Sequence, residues 1–522
     1  MRNSFFLVIP EQKNIQEKIQ TFDEASLTQW LAELPTANPA LSTKLILDLI
    51  MSMNELEMPA TKRLEALETL YPSFLQTEDY LRSRLVKSGF PKLQNELKIM
   101  SVLSALEKQF TIGYWICVRE LSQRNLNWFQ GKQISLALVR TVRGLSAIVL
   151  SHYIMNSQVP DWIWIDLHSL YRLSVKLKKN SIKIANPNGQ LDKISVEDSY
   201  KQIILLSLAD PSCLMQRELK KCFDFIETIV HQVSLDKEPV AQQPKQCLIL
   251  TDEDAAPAFS DDEPTGESAI LYVNLSKLIN NLRQTEKFSS IDEFRYNTQQ
   301  HDKNKKIPFD LFKILGLSWH GQTIHSASLF TDRLNRYIAI GLNPTYELLS
   351  PLLQQEIIPK EHLVETYSEN ALIGHFDNPV LSIGSLISYR KPDDRSSHRA
   401  LAIVNRITLP KQENKLIFEL QLITRQCYTA TYLPLEAQED TEPQKALLYA
   451  VKTQQDEKSF IIMDSFMHKN GDLLRLFFNR DNFPIILNHK KNIGLGYWQF
   501  ECRKLEEEQL ALQKKKKGYD FI

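Results

Sequence analysis

Between residues 22 and 235, apolar positions recur at three- and four-residue intervals, the period of helices that each bury one face. Ile46, Leu49, Ile50, Met53 and Leu56 mark one such face. Thr61 opens another segment, with Leu64, Leu67 and Leu70 on one side, and Tyr71-Pro72 is expected to stop it. Asn95 to Phe110, Ile134 to Met155 and Tyr200 to Ser207 continue the pattern, and prolines at 35, 59, 72, 91, 160 and 211 punctuate it. No fixed period repeats, so the reading is an irregular helical array.

Glu238 to Glu267 changes character. Cys247 to Leu250 and Ala269 to Val273 read as short strands around a proline-bearing loop with the acidic runs Asp252-Glu253-Asp254 and Asp261-Asp262-Glu263. The run Asp252 to Asp254 lacks the glycine and terminal glutamate of a calcium loop and reads as solvated linker. Leu275 to Leu282 reads as helix and Gln299 to Lys306 as a charged linker. From Tyr337 the apolar period becomes two, as in Phe418, Leu420 and Leu422, with another strand from Ala400 to Ile407. An apolar helix, Pro344 to Ile358, interrupts. Ala446 to Val451, Ser459 to Ile462, Leu473 to Phe478 and Phe483 to Leu487 follow, which suggests one or two small closed barrels. Glu501 to Lys517 reads as an exposed charged helix. The expected class is α+β. The expected division is a helical array over 1–235, a mixed linker region over 236–310, a β-barrel over 311–435, a second β-rich domain over 436–505 and a charged tail over 506–522.

Charge narrows the function. A net charge of -1 argues against a dedicated nucleic-acid binder. Six cysteines without a CxxC pair argue against a zinc site or a disulfide framework. The apolar run Phe5 to Ile9 is too short for a signal-peptide core. No segment is expected to approach the roughly 20 apolar residues of a membrane span, so the expected location is cytoplasmic. Phosphate-loop, dinucleotide, nucleophile-elbow and HExxH patterns are missing, and the chain is expected not to be an enzyme.

Other residues have plain readings. His168, Asp166 and Tyr171 have helical spacing and are expected to pack, as are Trp162 and Trp164 beside Pro160. Asp210-Pro211 reads as a helix stop. Arg390, Arg395, Arg399 and Arg406 are either scattered surface arginines with acidic neighbours or a face gathered near Arg336. Lys514 to Lys517 reads as a solubilising tail.

Two further stretches go together. Asp332-Arg333-Leu334-Asn335-Arg336 leads directly into Tyr337-Ile338-Ala339-Ile340, and Thr366-Tyr367-Ser368-Glu369-Asn370-Ala371-Leu372 makes a later corner. An arginine pair before a first strand followed by such a corner resembles a PilZ domain, the small β-barrel that receives cyclic di-GMP. Val159 to Tyr171, and Leu205 to Pro211 with Leu214, Gln216 and Glu218, resemble segments of large proteobacterial PilZ-domain proteins. Those carry a long helical N-terminal region before an atypical barrel; Ser388 to Arg406 would hold the next barrel strands.

The resemblance implies roles. Arg336 would be the second ligand arginine, while Asp332 stands at the first and Arg333 lies one place out of register. Ser368 matches the corner hydroxyl, Thr366 replaces the usual Asp or Asn, and Ala371 replaces the glycine. Guanidinium groups suit this ligand because they fork onto phosphates and guanine edges and stack on purines. The implied function is a non-enzymatic bacterial regulatory protein, either a cyclic di-GMP receptor or a degenerate PilZ adaptor, with Arg333, Arg336, Thr366 and Ser368 as ligand residues. The alternative is a ligand-independent scaffold that binds an unidentified protein partner through the helical array. No cofactor, metal, nucleic acid or membrane insertion is expected.

Overall fold

The computed structural model describes residues 5–506 apart from 124–127, 242, 244, 262–268, 287–292, 296–305, 323–327, 351–360, 396, 411–414, 439 and 453–456. The chain is α+β, with a helical array followed by two closed six-stranded antiparallel barrels. It divides into two compact units: residues 5–88, 92–212 and 216–324, and residues 89–91, 213–215 and 325 onward.

In the first unit the long helices Ala60–Leu85, Gln94–Ser122 and Trp128–Ile154 pack in succession. Leu64, Leu67, Leu70, Phe74, Leu81 and Leu85 are all buried along one face of the first of these. Here the sequence reading is corrected: Pro72 lies inside the helix and does not end it. A mid-helix proline costs about 3 kcal/mol through its missing N–H and its ring. Burying Phe74, Leu81 and Leu85 beyond it returns roughly 2 kcal/mol for each side chain. Packing therefore wins. A second correction concerns Gly131–Ile154, which is long and apolar enough to cross a membrane by composition. Its apolar window is 78% buried among the other helices.

The acidic loop also proved structural. The Asp254 carboxylate accepts the backbone N–H groups of Trp162 and Ile165, at the N-terminus of the helix Ile163–Lys176. Asp254 is thus a cap supplied from a distant loop, not a solvated linker residue. His168 packs as expected: it is buried, with Nδ1 2.6 Å from the Tyr200 hydroxyl and Nε2 2.9 Å from the Ala255 carbonyl. Burial pushes its imidazole down to about 4, so it is neutral at physiological pH. Asp166 accepts the N–H groups of Phe6 and Leu7 and ties the start of the described chain to this helix. The strands expected near Cys247 and Ala269 pair antiparallel, Leu248 opposite Tyr272, within a four-stranded sheet.

In the second unit, the order around the first barrel is His362–Thr366, Ala371–His375, Lys415–Thr424, Ala400–Thr408, Leu386–Arg390 and Arg336–Ile340. Ile338, Val364, Leu372, Ile387, Ala402, Val404, Phe418 and Leu420 point inward to make its core. Around the second barrel run Tyr428–Pro434, Gln444–Lys452, Glu457–Met463, Trp498–Lys504, Asp481–Asn492 and Leu473–Phe478. Numbered by sequence within each barrel, both close in the order 1-2-3-6-5-4. The strand Tyr428–Pro434 falls in the second barrel, since it pairs with Gln444–Lys452 and Leu473–Phe478; the barrel boundary read at residue 435 moves accordingly. Glu501 to Lys504 is the end of a barrel strand, not of a helix. The interrupting helix covers Leu342–Leu349. Residues 299–305, 351–358 and the Lys514 to Lys517 tail lie outside the described residues.

The outer faces of the barrels meet. Leu386, Leu401 and Ile403 of the first cluster with Leu447, Tyr449 and Ile462 of the second. Gly384, at φ +86°, sits where an added Cβ would lie 2.8 Å from the Leu495 nitrogen, so backbone packs on backbone there. Leu495 N–H donates to the Gly384 carbonyl at 2.7 Å.

Candidate functional site

The rim of the first barrel is built from the stretch preceding its first strand. Asp332 folds this stretch back on itself: its Oδ1 accepts the Leu334 N–H at 3.2 Å, the Asx turn that a short carboxylate favours. Arg333 takes the left-handed conformation, φ +54°, and its side chain is exposed. Arg336 opens the strand and is only 2% exposed. Its Nη1 donates to the carbonyls of Leu334 (2.6 Å) and Asn335 (3.1 Å), and its Nη2 to Asp332 Oδ1 (2.6 Å). The guanidinium lies 5.4 Å from the centre of the Phe330 ring.

The corner that follows the second strand lies against this turn. Val364 is paired with Arg336, and two residues later the Thr366 hydroxyl donates to the Leu334 carbonyl at 2.6 Å. The Glu369 carbonyl accepts the N–H groups of Leu329 and Phe330 at 2.7 and 2.8 Å, and its carboxylate accepts from the Ser328 hydroxyl. The Ser368 hydroxyl donates to Asn370 at 2.8 Å. So Arg336 and Thr366 converge on one carbonyl, whereas among the described residues neither arginine hydrogen-bonds to Ser368. Ala371, in the place of the glycine, is buried, and its carbonyl accepts the N–H groups of Tyr367 and Ser368.

Lys391, which the sequence reading did not single out, completes the rim. Its Nζ lies 2.8 Å from Asp332 Oδ2. Asp332 thus bridges two cations. Burial opposes its charge, but the hydrogen bonds from Lys391 and Arg336 prevail and hold the carboxyl far below the usual range.

The other arginines do not form an open basic face. Arg390 and Arg399 both bind Glu361, Arg390 through two hydrogen bonds at 3.1 and 2.8 Å and Arg399 at 2.5 Å. Arg399 is fully buried and also donates to the hydroxyl and carbonyl of Ser388. Arg390 stacks on Tyr337, and Arg406 pairs with Glu419. Each of these three cations has a carboxylate at hand, as the scattered-surface reading expected, but Arg399 is buried and corrects that reading's surface placement.

The helical unit holds a cavity of about 340 Å³, lined in part by Tyr71, Phe74, Arg140, Arg143, Lys220 and Glu227. Its cations are matched: Arg140 by Glu68, Arg143 by Glu227 and Lys220 by Asp224. Arg82, which also lines it, donates from Nη2 to both Glu78 and Glu107 at 2.8 Å. No group of His, Cys, Asp and Glu suited to a metal occurs among the described residues.

A multi-helical unit joined to twin barrels, one with a cationic rim, defines an α+β architecture without a recognisable catalytic constellation among the described residues. Comparison with known proteins adds to this. Residues 25–240 match the family model for the N-terminal domain of the cyclic-di-GMP receptor FimW. The curated cyclic-di-GMP receptor FimW of Pseudomonas aeruginosa is 23% identical over 222 residues, covering 42% of this chain and 36% of that protein. The match thus spans little more than a third of the relative's length. The family-model match falls in the helical half, so the barrel rim lies outside that span. No solved structure matches.

Proposed function

We propose that the chain is a non-enzymatic regulatory protein of the cytoplasm that receives cyclic di-GMP at the rim of the first, PilZ-like barrel. One observation carries this reading: the Arg333–Arg336 turn and the Thr366–Ser368 corner are laced together at one barrel end, with Arg336 and Thr366 on the same Leu334 carbonyl. The likeness of the helical half to a cyclic-di-GMP receptor supports it independently. Arg333 is exposed, and among the described residues its guanidinium has no ion-pair partner, so it is available to fork onto a phosphate or stack on a guanine. Lys391 adds a second exposed cation, and the Thr366 and Ser368 hydroxyls, whose protons go to Leu334 and Asn370, keep lone pairs that accept from a ligand N–H or O–H.

A second reading, the ligand-independent adaptor, has its own support in Asp332, which already satisfies Arg336. Titration calorimetry of the whole chain with cyclic di-GMP separates the two. Saturable binding that weakens roughly tenfold or more in Arg333→Ala fits the receptor, a scale set by loss of one charge-assisted contact. Binding untouched by that substitution refutes the site, and no binding at all favours the adaptor.

A further inference from the structure

We infer that the Asp332 carboxylate is a built-in stand-in for a ligand phosphate, and that Lys391 is a phosphate-contacting residue which Asp332 masks. This rests on the receptor reading above and deepens it. The donors around Asp332 form an anion site. Its Oδ1 receives Arg336 Nη2 at 2.6 Å and the Leu334 N–H at 3.2 Å, while Oδ2 receives Lys391 Nζ at 2.8 Å. Two oxygens of one anion are thus held by two cations and a backbone amide, the same set that the two non-bridging oxygens of a phosphodiester would take.

The acid also covers the arginine it pairs with. It is 30% exposed on its side chain, whereas the Arg336 side chain behind it is 3% exposed, so Asp332 separates the arginine from solvent. A phosphate approaching Arg333 or Lys391 meets this carboxylate first, and like charges at that range repel. Ligand entry therefore exchanges one anion for another: the carboxylate swings out to water and the phosphate takes over Lys391 and the uncovered Arg336 Nη2. Net charge at the site is conserved, and the exchange raises the ligand concentration at which the barrel fills. A ligand with phosphodiester charge can make the exchange; an uncharged nucleoside cannot.

The test is calorimetric titration of the full chain with cyclic di-GMP and with guanosine, using the wild type, Asp332→Asn, Asp332→Ser, Asp332→Glu, Lys391→Met and the double variant Asp332→Asn with Lys391→Met. Asn keeps an acceptor for Arg336 and removes the competing charge, so Asp332→Asn is expected to tighten cyclic di-GMP binding by roughly tenfold, the scale of one displaced ion-pair contact. Asp332→Glu should stay near wild type, Lys391→Met should weaken binding and cancel the gain of Asp332→Asn, and guanosine should not bind. Thermal melting establishes that each variant is folded, and Asp332→Ser stands in if Asn perturbs the turn. Equal or weaker binding by the folded neutral variants, with a wild type that binds, overturns the stand-in and leaves the receptor reading intact. Failure of every variant to bind overturns both.

Discussion

Arg336 and Thr366 donate to the same acceptor, the carbonyl of Leu334, each at 2.6 Å. One side chain opens the first barrel strand and the other closes the second, so a single oxygen links the turn before the barrel to the corner after it. Thr366→Val removes one donor and leaves the carbonyl to Arg336. It is expected to destabilise the chain by about 1 kcal/mol, read from the midpoint of urea denaturation. No measurable shift would mean the link is dispensable.

Glu361 faces a harsher test. It neutralises Arg399, whose side chain is fully buried, and Arg390 beside it. Glu361→Gln leaves a buried guanidinium with only neutral partners, Ser388 and the Tyr337 carbonyl among them, at an expected loss of about 3 kcal/mol. Replacing Glu361 together with Arg399 (Glu361→Gln, Arg399→Met) should recover much of that loss, because the fully buried guanidinium is then gone and only Arg390, which also donates to the carbonyls of Lys391, Pro392 and Asp394, loses its carboxylate. Equal destabilisation of the single and double variants would count against this account.

Glu107 sets a pH dependence in the helical unit. Burial pushes its carboxyl up from the ordinary 4.5 to about 8, with Arg82 pulling the other way. A raised carboxyl keeps a proton in the folded chain that the unfolded chain has already lost. Its stabilisation is therefore complete below pH 4.5 and is lost as pH rises towards 8. Glu107→Gln should flatten the fall in melting temperature across that window. An unchanged slope would show that Glu107 is ionised throughout.

Pro72 is tolerated by packing, not by its local geometry. Pro72→Ala should extend an uninterrupted helix and raise stability by about 1–3 kcal/mol, measured by denaturant titration. A loss would assign Pro72 a packing role that outweighs the broken helical hydrogen bond.

These cases show what the sequence carried. The inward alternation of Phe418 and Leu420 is local, and it predicted a barrel wall that the structure contains. The register of Arg336 against the first strand was equally readable, because the strand begins on that residue. What was not readable came from contacts distant in the chain. Asp254 caps a helix that starts about ninety residues earlier, and no local pattern distinguishes such a cap from a loop acid. Lys391 reaches Asp332 from the end of the neighbouring strand, where Arg390 lies opposite Tyr337, so its place at the rim appears only once those two strands pair. Pro72 was misread because the local rule weighs a missing N–H and cannot see Phe74, Leu81 and Leu85 being buried beyond it.

The strand Ala400–Thr408 has apolar residues on both faces, Ala402 and Val404 inside its own cylinder and Leu401 and Ile403 against the neighbouring one. A shortened chain ending before Tyr428 would leave the second pair in water and invite self-association. Anyone trimming this protein for study must keep both cylinders, because each is part of the other's wall.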